Sequence, residues 1–292
     1  MAVARLMLRP LEPVEDNGEY GFTLIEVLAV MVVAFLAISA VYSVYIVQKH
    51  ESRTQQAVLA AQQNLRASLV VLEQEIRMAG FDPEDSRRFG ITDIRRYNLV
   101  STAVDHQGQP ALFYTVDWNE DGLIDSNEMY GLRIRDDRKL GRTYLTISIG
   151  SGGRQRLAEN IQAWGLAYAV DVDQDGRADT WQGGKHSIWA VDADNDNLLD
   201  SHLDTNNDGI INLSDDINGD HVIDWTDGAP LNPPIPVDRI KAVRIWVLSV
   251  TERAVYNHTD SRILVLGDRI YLPQNNGLRL RTAEIIIECR NL

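Results

Sequence analysis

The residues of this chain most able to do chemistry are oxygen donors in short, regular runs. In the first run Asp117, Asn119, Asp121, Asp125 and Glu128 occupy positions 1, 3, 5, 9 and 12 of a twelve-residue stretch. Gly122 stands at position 6, and the Leu123 carbonyl is available at position 7. Alternating carboxylate and amide oxygens, a glycine that permits a sharp turn and a closing glutamate form the spacing of a calcium loop. Calcium takes six to eight hard oxygens, and this loop offers that many. Asp125 is expected to act directly or through water, Glu128 to close the site with both oxygens, and Ile124 to point into the core.

Four weaker copies follow. Asp171, Asp173, Asp175 and Asp179 keep the first nine positions, with Gln182 where the closing acid would stand. Asp192, Asp194, Asp196 and Asp200 carry Asn197 in place of the glycine, a residue that tolerates the left-handed conformation. This copy ends in Leu203, so its closing ligand must come from elsewhere. Asp204, Asn206, Asp208 and the Ile210 carbonyl complete a frame closed by Asp215. Asp216, Asn218, Asp220, Asp224 and Asp227 form the last copy, which lacks the glycine. The last three copies begin twelve residues apart, leaving no room for the flanking helices of a paired sensor. They resemble the loops of dockerins and of extracellular calcium-stabilised repeats. The resemblance implies structural rather than signalling calcium, at the roughly 10⁻⁴–10⁻³ M affinity of extracellular modules.

Charge supports cation binding. The net charge is −14, which argues against nucleic acid as a partner. Between Asp171 and Asp227 there are 15 Asp against Arg177 and Lys185, and the 11 Asp from Asp192 onward have no Lys or Arg among them. Such a segment repels itself without counter-ions. Other chemistries find no support. The six histidines are scattered without zinc spacing, and His202 and His221, beside the acidic loops, read as exposed turn residues. No phosphate loop or nucleophile motif is present, so an enzyme is not expected. The single Cys289 allows no intrachain disulfide.

The elements that must carry these loops begin with a helix. Gly21-Phe22-Thr23-Leu24-Ile25-Glu26-Val27 opens a run to Gln48 in which Glu26 is the only charged side chain. Roughly 20 apolar residues cross a bilayer, so 22–48 suffices, yet a carboxylate there is costly and usually functional. No Pro or Gly interrupts Phe22 to Ala79. Val58, Ala61, Leu65, Leu69, Leu72, Ile76 and Ala79 then recur every three or four residues, the spacing of one helix face. Gly80 and Pro83 are stop signals. One helix from Phe22 to about Ala79, roughly 85 Å long at 1.5 Å per residue, is therefore predicted, with the amphipathic half over 49–80. Beyond it, 112–116, 131–135, 143–149, 165–170, 241–248 and 282–290 read as strands of an antiparallel sheet that the helix covers. The expected fold is α+β, with a globular part over 81–292 and the acidic segment 171–227 as an insert.

The N-terminal heptapeptide resembles the signal of type IV prepilins. That resemblance implies a leader over 1–21, cleavage by a prepilin peptidase between Gly21 and Phe22, and methylation of Phe22. It also implies a single-pass inner-membrane state with the domain outside the cytoplasm, followed by incorporation into a pilus. Other major and minor pilins would be partners through the helix, and Glu26 would pair with a neighbour's N-terminal amine. A buried carboxylate is tolerable when such a cation neutralises it. The leader departs from the usual basic pattern, with Arg5 and Arg9 against Glu12, Glu15, Asp16 and Glu19. Arg239–Leu248, the ending Leu280–Leu292 and the helix residues Gln55–Ala57 with Glu75–Asp82 resemble minor pilins of the PilW type, which implies a role in priming assembly. A minor pseudopilin of a type II secretion system and a calcium-dependent tip adhesin are the alternatives.

Overall fold

The computed structural model describes residues 21–97, 108–137, 142–255, 258–272 and 274–292. The expected leader, all but Gly21, lies outside them, as does His106. Helix α1 (Leu24–Arg77) has the length that the uninterrupted sequence predicts, trimmed by two residues at each end. Its start follows from Thr23-x-x-Glu26. The Thr23 amide and hydroxyl both donate to the Glu26 carboxylate at 2.9 Å, and the Glu26 amide donates to Thr23 Oγ1 at 3.3 Å. This reciprocal cap satisfies amides that the first turn leaves without partners.

The chain divides into two compact units at Ser52/Arg53. In the first, α1 is long and apolar enough to cross a membrane, with a mean hydropathy of 2.7 in its most apolar window and none of that window buried.

In the second unit the remainder of α1 buries Ala61, Leu65, Ser68, Leu72 and Ile76, one stripe at helical spacing. Strands β1 (Ile91–Asp93), β2 (Arg96–Tyr97), β3 (Gln109–Thr115), β4 (Met129–Asp137), β5 (Arg142–Ile149) and β6 (Arg154–Glu159) form a first antiparallel sheet, ordered β1-β3-β4-β5-β6 with β2 also on β3. A second antiparallel sheet contains β7 (Ile161–Val170), β8 (Trp189–Val191), β9 (Leu198–His202), β10 (Pro230–Pro236), β11 (Ile240–Val250) and, further on, β14 (Leu280–Glu288). Its order is β10-β9-β8-β7-β11-β14. The hairpin β12–β13 (Leu264–Leu266, Arg269–Tyr271) stands apart.

Two cores result. Leu65, Leu72 and Ile76 of α1 join Leu112, Leu132 and Leu145 of the first sheet and Val243, Ile245 and Val247 of the second. The alternate residues of β11, Trp246, Leu248 and Val250, join Leu203, Ile211, Ile223 and Leu266 in the other core. The middle of the second sheet is thus covered on both faces, which is why β7 and β11 lack clean alternation. A Cβ on Gly165 of β7 would lie 2.2 Å from the Leu266 backbone, so glycine there lets the hairpin approach. The single expected sheet is therefore two. Segment 171–227 is also not a pure insert, because β8 and β9 lie within it as ladder strands.

Candidate metal centre

The first four acidic loops each follow a strand end, and the fifth follows the fourth directly. The Asp117 loop joins β3 to β4, the Asp171 loop follows β7, and the Asp192 loop turns β8 into β9. The Asp204 and Asp216 loops run from β9 to β10. One hydrogen-bond pattern recurs. The position-1 carboxylate accepts the amides of positions 5 and 6 at 2.8–3.2 Å in the first four loops: Asp117 from Asp121 and Gly122, Asp171 from Asp175 and Gly176, Asp192 from Asp196 and Asn197, Asp204 from Asp208 and Gly209. Asp216 instead accepts from Gly219 at 2.8 Å and His221 at 3.1 Å. In every loop the position-5 aspartate (Asp121, Asp175, Asp196, Asp208, Asp220) accepts the position-7 amide at 2.8–2.9 Å. The side-chain oxygen at position 3 (Asn119, Asp173, Asp194, Asn206, Asn218) accepts the position-5 amide at 2.8–3.1 Å. Position 6 is left-handed throughout, with φ of 69° at Gly122, 87° at Gly176, 75° at Asn197, 86° at Gly209 and 70° at His221. Asparagine is enriched in that region and glycine enters it freely.

Closure of the loops comes in two kinds. Glu128 is fully buried, and its carboxylate accepts the amides of Trp118, Asn119 and Asp125 at 2.9–3.3 Å. Asp215 does the same for Thr205, Asn206 and Asn212, and Asp227 for Ile217, Asn218 and Asp224. The other two loops lack an acid at position 12, and position 9 takes over. Asp179 accepts the Val172 amide at 2.6 Å, and Asp200 accepts the amides of Ala193 and Asp194 at 3.2–3.4 Å. The closing group of the third loop therefore comes from within that loop.

This substitution gathers charge. Asp171, Asp173 and Asp179 bring carboxylate oxygens within 4.8 Å of one another, and so do Asp192, Asp194 and Asp200. Among the described residues the other three loops do not gather three acids this way. Their position-3 residue is an asparagine, and the acid at position 12 is turned onto backbone amides. Burial pushes the Asp192 carboxyl up to about 6, against the pull of the Asn197, Asn195 and Asp196 amides, and the charge of Asp200 adds to the rise. Burial also raises Asp200 and Asp215. Two or three carboxylates on a half-buried loop with only oxygen donors fit a hard cation of the calcium type and no soft one.

Two expectations need correction. Ile124 does not enter the core: it is 42% exposed, whereas its counterparts Leu199, Ile211 and Ile223 are buried. Leu199 joins the first core, and Ile211 and Ile223 join the second. His202 is not an exposed turn residue but fully buried on β9, stacked on Trp181 with centroids 4.6 Å apart. Burial lowers its pKa.

Asn195 and Asn197 carry a role that spacing does not reveal. Asn197 Oδ1 accepts the Ile94 amide at 3.0 Å, its Nδ2 donates to the Thr92 carbonyl at 3.1 Å, and Asn195 Oδ1 accepts the Arg96 amide. The third loop is thereby tied to the first sheet. The Arg96 guanidinium continues the tie to the buried Asp268 at the hairpin turn.

At the other end of the chain, residues 16–42 match the family described as prokaryotic N-terminal methylation motif, a stretch that contains Gly21, Phe22 and Glu26. The match is confined to that segment. The chain is similar in structure to a type IV-like pilin from Thermus thermophilus, at 12% identity and a TM-score of 0.41, over 79% of this chain and 97% of that one. No curated protein sequence matches the chain.

Proposed function

We propose that this chain is a minor type IV pilin with a calcium-stabilised outer domain. It is made as a prepilin and cut after Gly21 by a prepilin peptidase. It is then methylated on Phe22 and held in the inner membrane by the apolar part of α1. From there it enters a filament beside other pilins and primes assembly. The role is structural, not catalytic. The observation that carries this reading is the methylation motif at 16–42, placed so that the expected cleavage site falls two residues before the apolar helix α1. Cleavage removes the residues before Phe22 and leaves Thr23 and Glu26 to cap the new first turn. In the filament the Glu26 carboxylate would exchange part of that cap for a neighbour's α-amine, which is cationic at neutral pH.

Calcium, where bound, supplies positive charge to oxygens that otherwise repel. The chain's own residues supply a preset frame. Each position-1 aspartate is already fixed by backbone amides, and each closing acid is held by the amides at the start of its loop. The test is mass spectrometry of the protein from its native host. A mature N-terminus of N-methylated Phe22 supports the reading, and an intact N-terminus sinks it. Deleting the gene and scoring piliation and protein secretion separately then distinguishes a pilin from a pseudopilin.

A further inference from the structure

The acidic loops have a basic counterpart that the reading above does not use. From Tyr130 to Arg156 the chain has seven Arg and Lys against two Asp, a balance of +5 in a protein of net charge −14. Strand register puts much of that charge on one surface. Arg133 and Arg135 alternate along β4; Arg133 is level with Thr146 of β5, which is level with Arg156 of β6. Arg154 follows two residues earlier on β6, level with Ser148. The opposite face of these strands holds Leu132, Ile134, Leu145 and Ile147, which are buried in the core, so the arginines face outward.

These arginines are unevenly satisfied. Arg156 pairs with Asp137 at 2.9 Å and lies 4.4 Å over the Tyr144 ring. Arg133 and Arg135 have no carboxylate partner among the described residues, and the Nε of each is buried without a hydrogen-bond partner. Burial, then the charges of Arg135 and Arg154, bring Arg133 down to about 10. Neighbouring guanidinium groups without a carboxylate partner match oxyanions in bidentate fashion.

We propose that the outer face of β4–β6 docks an extended segment of a partner protein with carboxylates at alternate positions. Alternate residues of one strand are about 6.7 Å apart, so acids at i and i+2 of an extended segment meet Arg133 and Arg135 in step. A polyphosphate or nucleic acid fits less well. The phosphates of a polyphosphate do not repeat at the step of about 6.7 Å between alternate strand residues, and the aromatic faces that could stack bases are taken. Tyr144 lies under Arg156, and Tyr97 lies under Arg133, whose guanidinium carbon is 6.0 Å from the ring centroid, and meets Phe113 edge-on at 5.7 Å.

The test uses the full chain in detergent micelles and a fluorescein-labelled peptide of alternating Thr and Glu, followed by anisotropy at low salt. The Thr-Gln peptide and inorganic polyphosphate serve as the other two probes. Binding of the Thr-Glu peptide should weaken at least tenfold in Arg133→Gln/Arg135→Gln, with an unchanged circular-dichroism melt. Arg133→Lys/Arg135→Lys, which keeps the charge and loses the fork, should weaken it several-fold. Equal binding by the glutamine variant, equal binding by the lysine variant, or tighter binding of polyphosphate would each overturn the proposal.

Discussion

The loops closed at position 12 and the loops closed at position 9 solve one problem in two ways. In the first kind, Glu128, Asp215 and Asp227 each accept three backbone amides, so the turn is held by the polypeptide itself. In the second kind, Asp179 or Asp200 must close the loop and also stands among the other carboxylates. The frame is then weaker and the charge denser. A closing acid one turn further along separates holding the backbone from gathering charge. Without it the two duties fall on the same residue, and dependence on a cation should be greatest there.

Removing calcium is the broadest way to break the comparison. If the sites fill, adding EGTA should lower the melting temperature of the full chain by several degrees for each well-occupied site. That follows because a ligand at a hundred times its dissociation constant contributes about 2.7 kcal/mol, and a domain of this size shifts by about 2–4 °C per kcal/mol. A melt unmoved by EGTA would remove calcium from the account. Asp200→Ala should come next in size. It takes the closing group and one of three gathered carboxylates from the third loop, so calorimetry should find one site fewer and a smaller calcium-induced shift. Glu128→Gln sharpens the contrast. It keeps one oxygen acceptor for the three amides and loses the charge, so it should cost roughly 1–3 kcal/mol with or without calcium. Equal calcium sensitivity of these two variants would erase the distinction between the loop kinds. The smallest effects belong to position 6. Gly122→Ala should cost about 1 kcal/mol by forcing a positive φ. Asn197→Gly relaxes the backbone yet deletes the bonds to Thr92 and Ile94, so it should also destabilise, by roughly 1–2 kcal/mol in urea melts.

Legibility in the sequence followed how local each feature is. Helix α1 was readable because its causes are local: no Gly or Pro, a stripe at 61, 65, 72 and 76, and Gly80 at its end. Loop positions were readable because a twelve-residue frame fixes its own turn. The Thr23–Glu26 cap is also local, a Thr-x-x-Glu box within one turn. The strands missed were short or unpatterned. Trp189–Val191 spans three residues, and Pro230–Pro236 carries prolines that argue against a strand unless it lies on an edge, as this one does. Takeover by Asp179 and Asp200 was invisible, because nothing in spacing says which acid turns toward the early amides. Likewise, the burial of His202 depends on Trp181 arriving from a separate turn.

The bonds from Asn195 and Asn197 to β1 and β2 have a mechanical consequence. The two sheets share no strand, so force that slides one past the other is resisted by side-chain packing and by a few polar crossings. One crossing runs from the third loop through Arg96 to Asp268, whose carbonyl accepts the Ile223 amide of the fifth loop at 2.8 Å. A subunit of the filament proposed above would be pulled as well as folded. Part of its resistance to shear would then rest on the turn of the third loop, whose shape depends on how well Asp192, Asp194 and Asp200 are neutralised.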